Sequence, residues 1–411
     1  MNSIFEKNKE NLEKFILEKG EKSYRADQIW RSMYVDLYDN FNDISTIPDK
    51  LKKSLENEFE FSPLKLVLKK KSKDKSTDKY LWRLHDNRLI ETVLMRYDED
   101  GHRRKRRTVC ISSQVGCALD CKFCATGQQG FSRQLSVGEI VSQVVEVKKE
   151  LLKEDPEIIK DQNNLNIVFM GMGEPLANYA RVIEAIKILN DQKGLNIGAR
   201  NITVSTVGLL PRIQELAKEK IQVNLAVSIH APDNETRSET VPINKKYPLE
   251  DLIGTCKEYI RKTNRKIFFE YVLLSGQNDS EEHANKLGRL LRPLLCHLNL
   301  IPVNPTNNSN FERSRSENIS NFRNIISNFG VPSTIRMENG IDINASKGDM
   351  QRPLHIAAAN GHVDTVKYLN NGVVEKTLDR NRVWLAQTPQ AFKKLKLLNA
   401  YQHYDLSNSA I

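Results

Sequence analysis

From about residue 109 to 338, short apolar runs alternate with amphipathic stretches, and this alternation constrains the fold more than any other feature of the chain. The apolar runs 166–170, 202–205, 223–229, 266–272 and 298–302 have strand length. The stretches 179–190, 249–261 and 281–292 between them carry apolar residues at helical spacing. Repeated strand–helix units predict a parallel sheet with helices outside, either open or barrel-like. In such folds ligands gather at the C-terminal ends of the strands. Four polar loops follow strands here: Gly171-Met172-Gly173-Glu174-Pro175, Ser205-Thr206-Val207-Gly208, Ser228-Ile229-His230-Ala231-Pro232 and Asn304-Pro305. Gathered at one rim, they would form a pocket.

The flanks differ in character. Residues 1–60 read as a small helical domain. Leu12, Phe15 and Ile16 give one apolar stripe, Ile29, Trp30, Met33 and Tyr34 a second, and the segment after Pro48 a third helix. Residues 61–108 read as a β-rich connection. Leu64, Leu66 and Leu68 alternate with Lys65, Val67 and Lys69 as in a half-exposed strand. Two further strands, at 80–84 and 90–95, are separated by a turn at Asp86-Asn87. Residues 109–338 hold the strand–helix units. From 339 to 372 the pattern changes: Arg352-Pro353-Leu354-His355-Ile356-Ala357 is close to an ankyrin signature, and the segment is one repeat long. About three repeats are needed to bury an ankyrin face, so a single one would fold only by docking on the barrel. Residues 373–411 form an atypical tail with no independent domain expected.

Bulk properties exclude several classes. No apolar run reaches the roughly 18 residues of a membrane helix, and the start lacks an apolar signal core. Six cysteines, half of them in one cluster, suit metal binding in a reducing, cytoplasmic compartment better than a disulfide framework. The net charge of +10 is compatible with an RNA partner without requiring one.

Cys117, Cys121 and Cys124 stand as C-x-x-x-C-x-x-C. Iron–sulfur clusters usually take four cysteines; three would leave one iron open to chelation by a small molecule, as reductive cleavage of S-adenosylmethionine requires. With Cys110 added, four thiolates could instead hold zinc, but zinc sites favour two separated C-x-x-C pairs and no second pair exists. The Gly171–Pro175 glycines permit close backbone approach to a ligand, and Glu174 could accept from an ammonium group; alone, the segment reads equally as a turn. Cys256 and Cys296 read as small core residues. Arg103-Arg104-Lys105-Arg106-Arg107 flanks the cysteines and reads equally as solvated surface or as a site of phosphate contacts, whereas Lys69-Lys70-Lys71, Lys73 and Lys75 read as a solvated hairpin.

The run Thr108-Val109-Cys110-Ile111-Ser112-Ser113-Gln114-Val115-Gly116-Cys117-Ala118-Leu119-Asp120-Cys121-Lys122-Phe123-Cys124 resembles the radical S-adenosylmethionine adenine-C2 RNA methyltransferases. So do Gln128-Gln129-Gly130-Phe131, the Gly171–Pro175 loop, Ser228–Pro232, Val241-Pro242-Ile243-Asn244-Lys245-Lys246-Tyr247 and Asn299-Leu300-Ile301-Pro302-Val303-Asn304-Pro305. The resemblance spans about residues 5–338. It implies a partial (β/α) barrel of the radical SAM type. It also implies methylation of carbon 2 of adenine in 23S ribosomal RNA and in some transfer RNAs, with an external electron donor and a monomeric chain. By the resemblance, Cys117, Cys121 and Cys124 bind a [4Fe-4S] cluster. Gly173, Glu174, Ser205, Ser228, Ile229, His230 and Asn304 hold S-adenosylmethionine, Glu91 accepts a proton, and Cys110 resolves a covalent RNA adduct by forming a disulfide. The family also uses a methyl-carrying cysteine within a segment like G-x-D-I-x-A-A-C-G-Q-L. This chain reads Gly340-Ile341-Asp342-Ile343-Asn344-Ala345-Ser346-Lys347-Gly348, with Lys347 at the cysteine's place. An amine can neither carry the methyl on sulfur nor close a disulfide with Cys110. That departure implies an alternative: a family member that binds cluster, S-adenosylmethionine and RNA without transferring methyl. The segment around Trp384-Leu385-Ala386-Gln387-Thr388-Pro389 resembles a fragment of methylerythritol-phosphate cytidylyltransferase without its nucleotide-binding loop.

Overall fold

The computed structural model describes residues 2–98, 105–154, 165–304 and 311–336. The ankyrin-like segment, Lys347 and the tail lie outside the described residues. So do Arg103 and Arg104.

A short parallel pair, β1 (Asn2–Ser3) and β2 (Phe59–Glu60), ties the ends of the helical N-terminal segment together. Between them run α1 (Lys9–Glu18), α2 (Tyr24–Tyr34) and α3 (Asp49–Glu58). Asn8 caps α1 by accepting from Asn11 N–H at 2.9 Å. The predicted stripes close on one another, with Leu12, Ile16, Ile29, Trp30, Met33 and Tyr34 all buried.

The rest is built on one ten-stranded sheet. Its antiparallel wing comprises β3 (Lys65–Lys71), β4 (Thr77–Arg83) and β5 (Leu89–Tyr97), leading into β6 (Arg106–Cys110). The hairpin of β7 (Gln114–Gly116) and β8 (Phe131–Gln134) stands apart and brackets the cysteine loop. Then α4 (Val137–Glu154) leads to β9 (Leu165–Phe169), which pairs parallel with β6. Strand–helix units follow: α5 (Tyr179–Asn190), β10 (Ile202–Thr206), α6 (Leu210–Leu216), β11 (Asn224–Ser228), α7 (Asn234–Thr240), α8 (Leu249–Thr263), β12 (Ile267–Leu273), α9 (Glu281–Leu291), β13 (Cys296–Pro302), α10 (Ser316–Asn328) and β14 (Ser333–Ile335). From β9 to β14 neighbouring strands are consecutive and parallel. The result is the parallel sheet that the alternation predicts, in the partial barrel that the resemblance implies.

Local chemistry sets the helix ends. Before α4, Ser136 and Glu139 form a capping box: Ser136 Oγ accepts from Glu139 N–H at 3.2 Å, and Glu139 Oε2 accepts from Ser136 N–H at 2.9 Å. Asp233 caps α7 through Thr236 N–H at 3.0 Å. Asn264 ends α8 in the left-handed region, at φ 52°.

The strands have two unlike faces because side chains alternate. Ile167, Phe169, Ile202, Val204, Leu225, Val227, Ile267, Phe269, Leu298 and Leu300 are fully or almost fully buried under the helices. The other face carries Thr203, Ser205, Ser228, Glu270, His297 and Asn299, which the registers place side by side. There Asn299 Nδ2 donates to Glu270 Oε1 at 2.8 Å.

One strand departs from its reading. The expected alternation of Leu64, Leu66 and Leu68 fails because the β3–β4 register shifts between Leu66 and Leu68. A bulge at Val67 puts an extra residue on β3, and Leu66 is left 51% exposed.

Candidate active site

The cysteine loop starts where β7 ends. Cys117 N–H donates to Gly130 O at 2.8 Å across the β7–β8 hairpin. Gly116 has φ 75°, and a Cβ there would sit 1.9 Å from Gly130 O, so only glycine fits. Cys124 N–H donates to Cys121 O at 2.9 Å, turning the loop, and Lys122 N–H reaches Thr240 O at 2.9 Å. Phe123 packs edge-on against His230, with ring centroids 4.7 Å apart. The loop thereby rests on the segments that follow β11.

The three thiols feel one another. Burial, then Cys124 and Glu174 as neighbours, pushes Cys117 up to about 11; burial and the other two cysteines raise Cys121 well above its ordinary value. Among the described residues no three His, Cys, Asp or Glu side chains converge on a single metal ion. A four-iron cluster takes one thiolate per iron, so three mutually interacting but non-convergent sulfurs fit that donor set. Forming the thiolates in this buried setting requires the positive charge of the iron itself.

The loop after β9 packs against the same hairpin. Gly173 has φ 103°, and its Cβ direction is filled by the Gln114 side chain. Gln114 Oε1 accepts from Glu174 N–H at 2.7 Å, and Gln114 Nε2 donates to Gln134 at 2.9 Å. The Glu174 carboxylate accepts from Leu176 N–H at 3.1 Å and from Val207 N–H at 2.9 Å. Burial raises its pKa to about 7.

Ser205 lies on the inner face of β10, and Ser228 ends β11. Ile229 N–H donates to Glu270 O at 3.0 Å. His230 has φ 57°, and its Nδ1 accepts from Val272 N–H at 3.1 Å. Burial and nearby Arg237 depress its pKa to about 3, leaving a neutral ring. Asn304 follows the C-terminal end of β13 and is exposed.

Arg237 escaped the sequence reading. It lies on α7, 1% exposed. Its Nε donates to Ile229 O at 3.0 Å, Nη1 to Asn244 Oδ1 at 2.8 Å, and Nη2 to Val207 O at 2.7 Å and Ser228 O at 3.3 Å. One guanidinium therefore joins two of the rim loops, 205–208 and 228–232, to the Val241–Tyr247 segment. Only its proximity to the Val241–Tyr247 motif hinted at such a role.

A second group of residues lies where the wing meets the barrel. Val93 pairs with both Lys79 and Cys110, so Lys79, Glu91 and Cys110 share the inner face. Lys79 Nζ is 3.0 Å from Glu91 Oε2, and both side chains are buried. Burial raises Cys110 to about 12, Met170 N–H partly offsets this, and Glu91 raises it further. A buried polar chain fastens this corner to the Gly173 loop. Trp82 Nε1 donates to Thr92 Oγ1 (3.0 Å), Thr92 to Gln143 Oε1 (2.8 Å), and Ser112 N–H to the same oxygen (2.8 Å). Ser112 Oγ donates to Glu91 O (2.6 Å) and accepts from Met172 N–H (3.0 Å).

Cys256 and Cys296 are placed elsewhere. Cys256 is buried on α8, and Cys296 opens β13 at the opposite end of the strand. A groove of about 590 Å³ lined by Asn190, Arg200, Lys220 and Gln222 also lies at the N-terminal ends of β10 and β11, away from the loops described above.

A parallel partial barrel with a three-cysteine loop at its C-terminal rim defines a radical SAM protein, and the Radical SAM superfamily model matches residues 111–287. Enzymes of this class use a [4Fe-4S] cluster and S-adenosylmethionine. The ribosomal RNA large subunit methyltransferase N-terminal domain matches residues 2–61, and 2-C-methyl-D-erythritol 4-phosphate cytidylyltransferase matches residues 346–410. The chain is 43% identical to a "Probable dual-specificity RNA methyltransferase RlmN" of Clostridium tetani, over 84% of this chain and 94% of that one. It is 42% identical to the same-named protein of Geobacillus kaustophilus, over 85% and 92%. The crystal structure of a radical SAM methyltransferase from Sphaerobacter thermophilus superposes with a TM-score of 0.79 at 42% identity, covering 85% of this chain and 98% of that one. The chain belongs to the RlmN family of dual-specificity RNA methyltransferases.

Proposed function

We propose that the chain is a radical S-adenosylmethionine enzyme that methylates carbon 2 of adenine in ribosomal RNA and in some transfer RNAs. The observation that carries this is the convergence of the Cys117–Cys124 loop, the Gly173-Glu174 loop and the Glu91–Cys110 corner at one rim, in a chain alignable with RlmN proteins over most of its length. Cys117, Cys121 and Cys124 would hold a [4Fe-4S] cluster, which would supply the electron for reductive cleavage of S-adenosylmethionine. Glu174 would accept from the amino group of that molecule, with Gly173 giving backbone access. Ser205, Ser228, Ile229, His230 and Asn304 would hold its remainder, with the His230 ring neutral. Glu91, paired with Lys79 at 3.0 Å, takes the proton lost from the adenine. Cys110 acts as the resolving thiol, and its high pKa keeps it protonated until a partner approaches.

Lys347 favours a second reading. With an amine at the methyl-carrier position, the chain would bind cluster, S-adenosylmethionine and RNA and cleave S-adenosylmethionine, but would not transfer methyl. The reading of residues 339–372 as one ankyrin-like repeat, a monomeric state, an external electron donor and a cytoplasmic location complete the proposal.

One assay separates the two readings. The reconstituted protein is given reductant, S-adenosylmethionine and RNA, and 5′-deoxyadenosine and 2-methyladenine are measured by mass spectrometry. Catalytic 2-methyladenine, abolished by Cys110→Ala, supports methyl transfer and excludes the defective reading. 5′-Deoxyadenosine without 2-methyladenine supports the second reading, the outcome expected of this sequence. Absence of both removes the radical assignment.

A further inference from the structure

Lys69, Lys70 and Lys71 are adjacent in sequence, but the sheet sends them to opposite faces. The face turned toward α4 is electrically matched. Lys69 lies 3.4 Å from Asp78 and 2.9 Å from Glu150, Lys71 3.2 Å from Glu154, and Arg96 2.7 Å from Asp78.

The other face is not matched. Lys70 stands directly opposite Lys79, and Lys65 directly opposite Arg83. Like charges facing each other across strands are destabilising. Lys79 is compensated by Glu91. Among the described residues, no carboxylate lies within ion-pair distance of Lys65, Lys70 or Arg83. Lys65 is exposed, and Lys70 and Arg83 are half-buried. Burial and the repulsion of Lys79 lower the Lys70 pKa, and among the described residues Arg83 Nε is buried without a hydrogen-bond partner. Each of these defects is relieved by an anion.

The position of this face matters. Lys70, Lys79, Val93 and Cys110 form one row across β3, β4, β5 and β6. Three strand spacings put the Lys70 backbone about 14 Å from that of Cys110. The Lys65–Arg83 pair lies further along the wing, beyond the level of Glu91.

We propose that the inner face of β3 and β4, through Lys65, Lys70 and Arg83, is a docking surface for the phosphate backbone of the substrate RNA beside the Glu91–Cys110 corner. This rests on the reading of the chain as an RNA methyltransferase. Single-stranded segments, where modification enzymes reach base edges, bring phosphates within reach of such a wall while the target base enters the barrel.

The test uses the full chain carrying Lys65→Gln, Lys70→Gln and Arg83→Gln together. Its binding to unmodified transfer RNA and to large-subunit ribosomal RNA transcripts is measured across a salt series. The control carries Lys53→Gln, Lys257→Gln and Arg289→Gln, which remove the same charge from exposed positions on α3, α8 and α9. Three lost contacts at about 0.7 each make the slope of log affinity against log salt less negative by about 2. Affinity at about 50 mM salt falls by tenfold or more, while the control stays within twofold. Because the changes remove like-charge repulsion, the melting temperature should not fall, and RNA-independent cleavage of S-adenosylmethionine should be unchanged. Equal salt slopes for the variant and wild type overturn the docking surface while leaving the RNA reading intact. Equal losses in variant and control overturn it in favour of a diffuse charge effect. A wild-type chain that binds neither RNA overturns both.

Discussion

Replacing Arg237 tests whether one buried guanidinium holds the cofactor rim together. The side chain is 1% exposed and donates four hydrogen bonds, to Ile229 O, Asn244 Oδ1, Val207 O and Ser228 O. Burial lowers its pKa to about 10, so it stays charged at neutral pH. Arg237→Met keeps the volume and removes every donor. Hydrogen bonds to charged groups are worth about 1.5–3 kcal/mol each, but methionine also escapes the desolvation cost of the charge. Taking roughly half of the gross sum gives a net loss of about 3–6 kcal/mol. At about 2 °C per kcal/mol for a domain of this size, the melting temperature falls by about 6–12 °C. The damage should also be local, since the orphaned carbonyls belong to the 205–208 and 228–232 loops. S-adenosylmethionine affinity, measured by calorimetry at a temperature where both proteins are folded, should drop by tenfold or more. Arg237→Lys, retaining charge and some donors, should fall between. An Arg237→Met protein melting within about 2 °C of wild type, with unaltered affinity, would refute the reasoning, because solvent would then replace the guanidinium at no cost.

Three further outcomes follow from the same geometry. Gly173→Ala should weaken S-adenosylmethionine binding at least tenfold in calorimetry, since its φ is 103° and the new Cβ would meet Gln114 Cβ at 2.5 Å. Gly276→Ala, also at positive φ but with nothing within 4 Å, should leave binding alone. Buried His230 has a folded pKa of about 3, below the unfolded value of about 6.5, so between these values only the unfolded chain takes up the proton. Its contribution is complete above about pH 6.5 and is lost by about 1.4 kcal/mol per unit as pH falls toward 3. Melting curves at pH 7.5 and 5.5 should show a smaller drop in His230→Asn than in wild type; equal drops would contradict the assignment. Cys121→Ala should abolish retention of iron after anaerobic reconstitution, read by iron content, whereas Cys256→Ala, buried on α8, should retain it. Iron retained equally by both would move the cluster away from the 117–124 loop.

What the sequence made legible was whatever local pattern determines. The bounds of α5 coincide with the periodic stretch 179–190, and β9 to β13 fall within a residue or two of the apolar runs. The cysteine triplet was visible because its spacing is contained in one loop. The supports of the site were not visible, because they act across distance in sequence. Gln114 and Glu174 are 60 residues apart, Ser112 and Gln143 31, and Arg237 and Val207 30. Nothing in the neighbourhood of a lone glutamine or arginine announces such a partner. The bulge at Val67 was hidden for a related reason: a perfect leucine alternation can be offset by one inserted residue, and only the pairing partner shows it.

The lysine run on β3 shows how far register can change a functional reading. As a string, Lys69-Lys70-Lys71 is a solvated charge cluster, and a uniform patch would be expected to act as a unit. Pairing with β4 divides it. Lys69 and Lys71 become structural cations neutralised by Asp78, Glu150 and Glu154, while Lys70 joins Lys79 on the face that carries Glu91 and Cys110. Two neighbouring lysines thus have opposite expected phenotypes. Lys69→Gln leaves fully buried Asp78 with one cation fewer and should lower the melting temperature with little change in RNA salt dependence. Lys70→Gln removes an uncompensated charge and should do the reverse. If the two substitutions behaved alike in both assays, the division of the run by strand register, and the docking face built on it, would have to be abandoned.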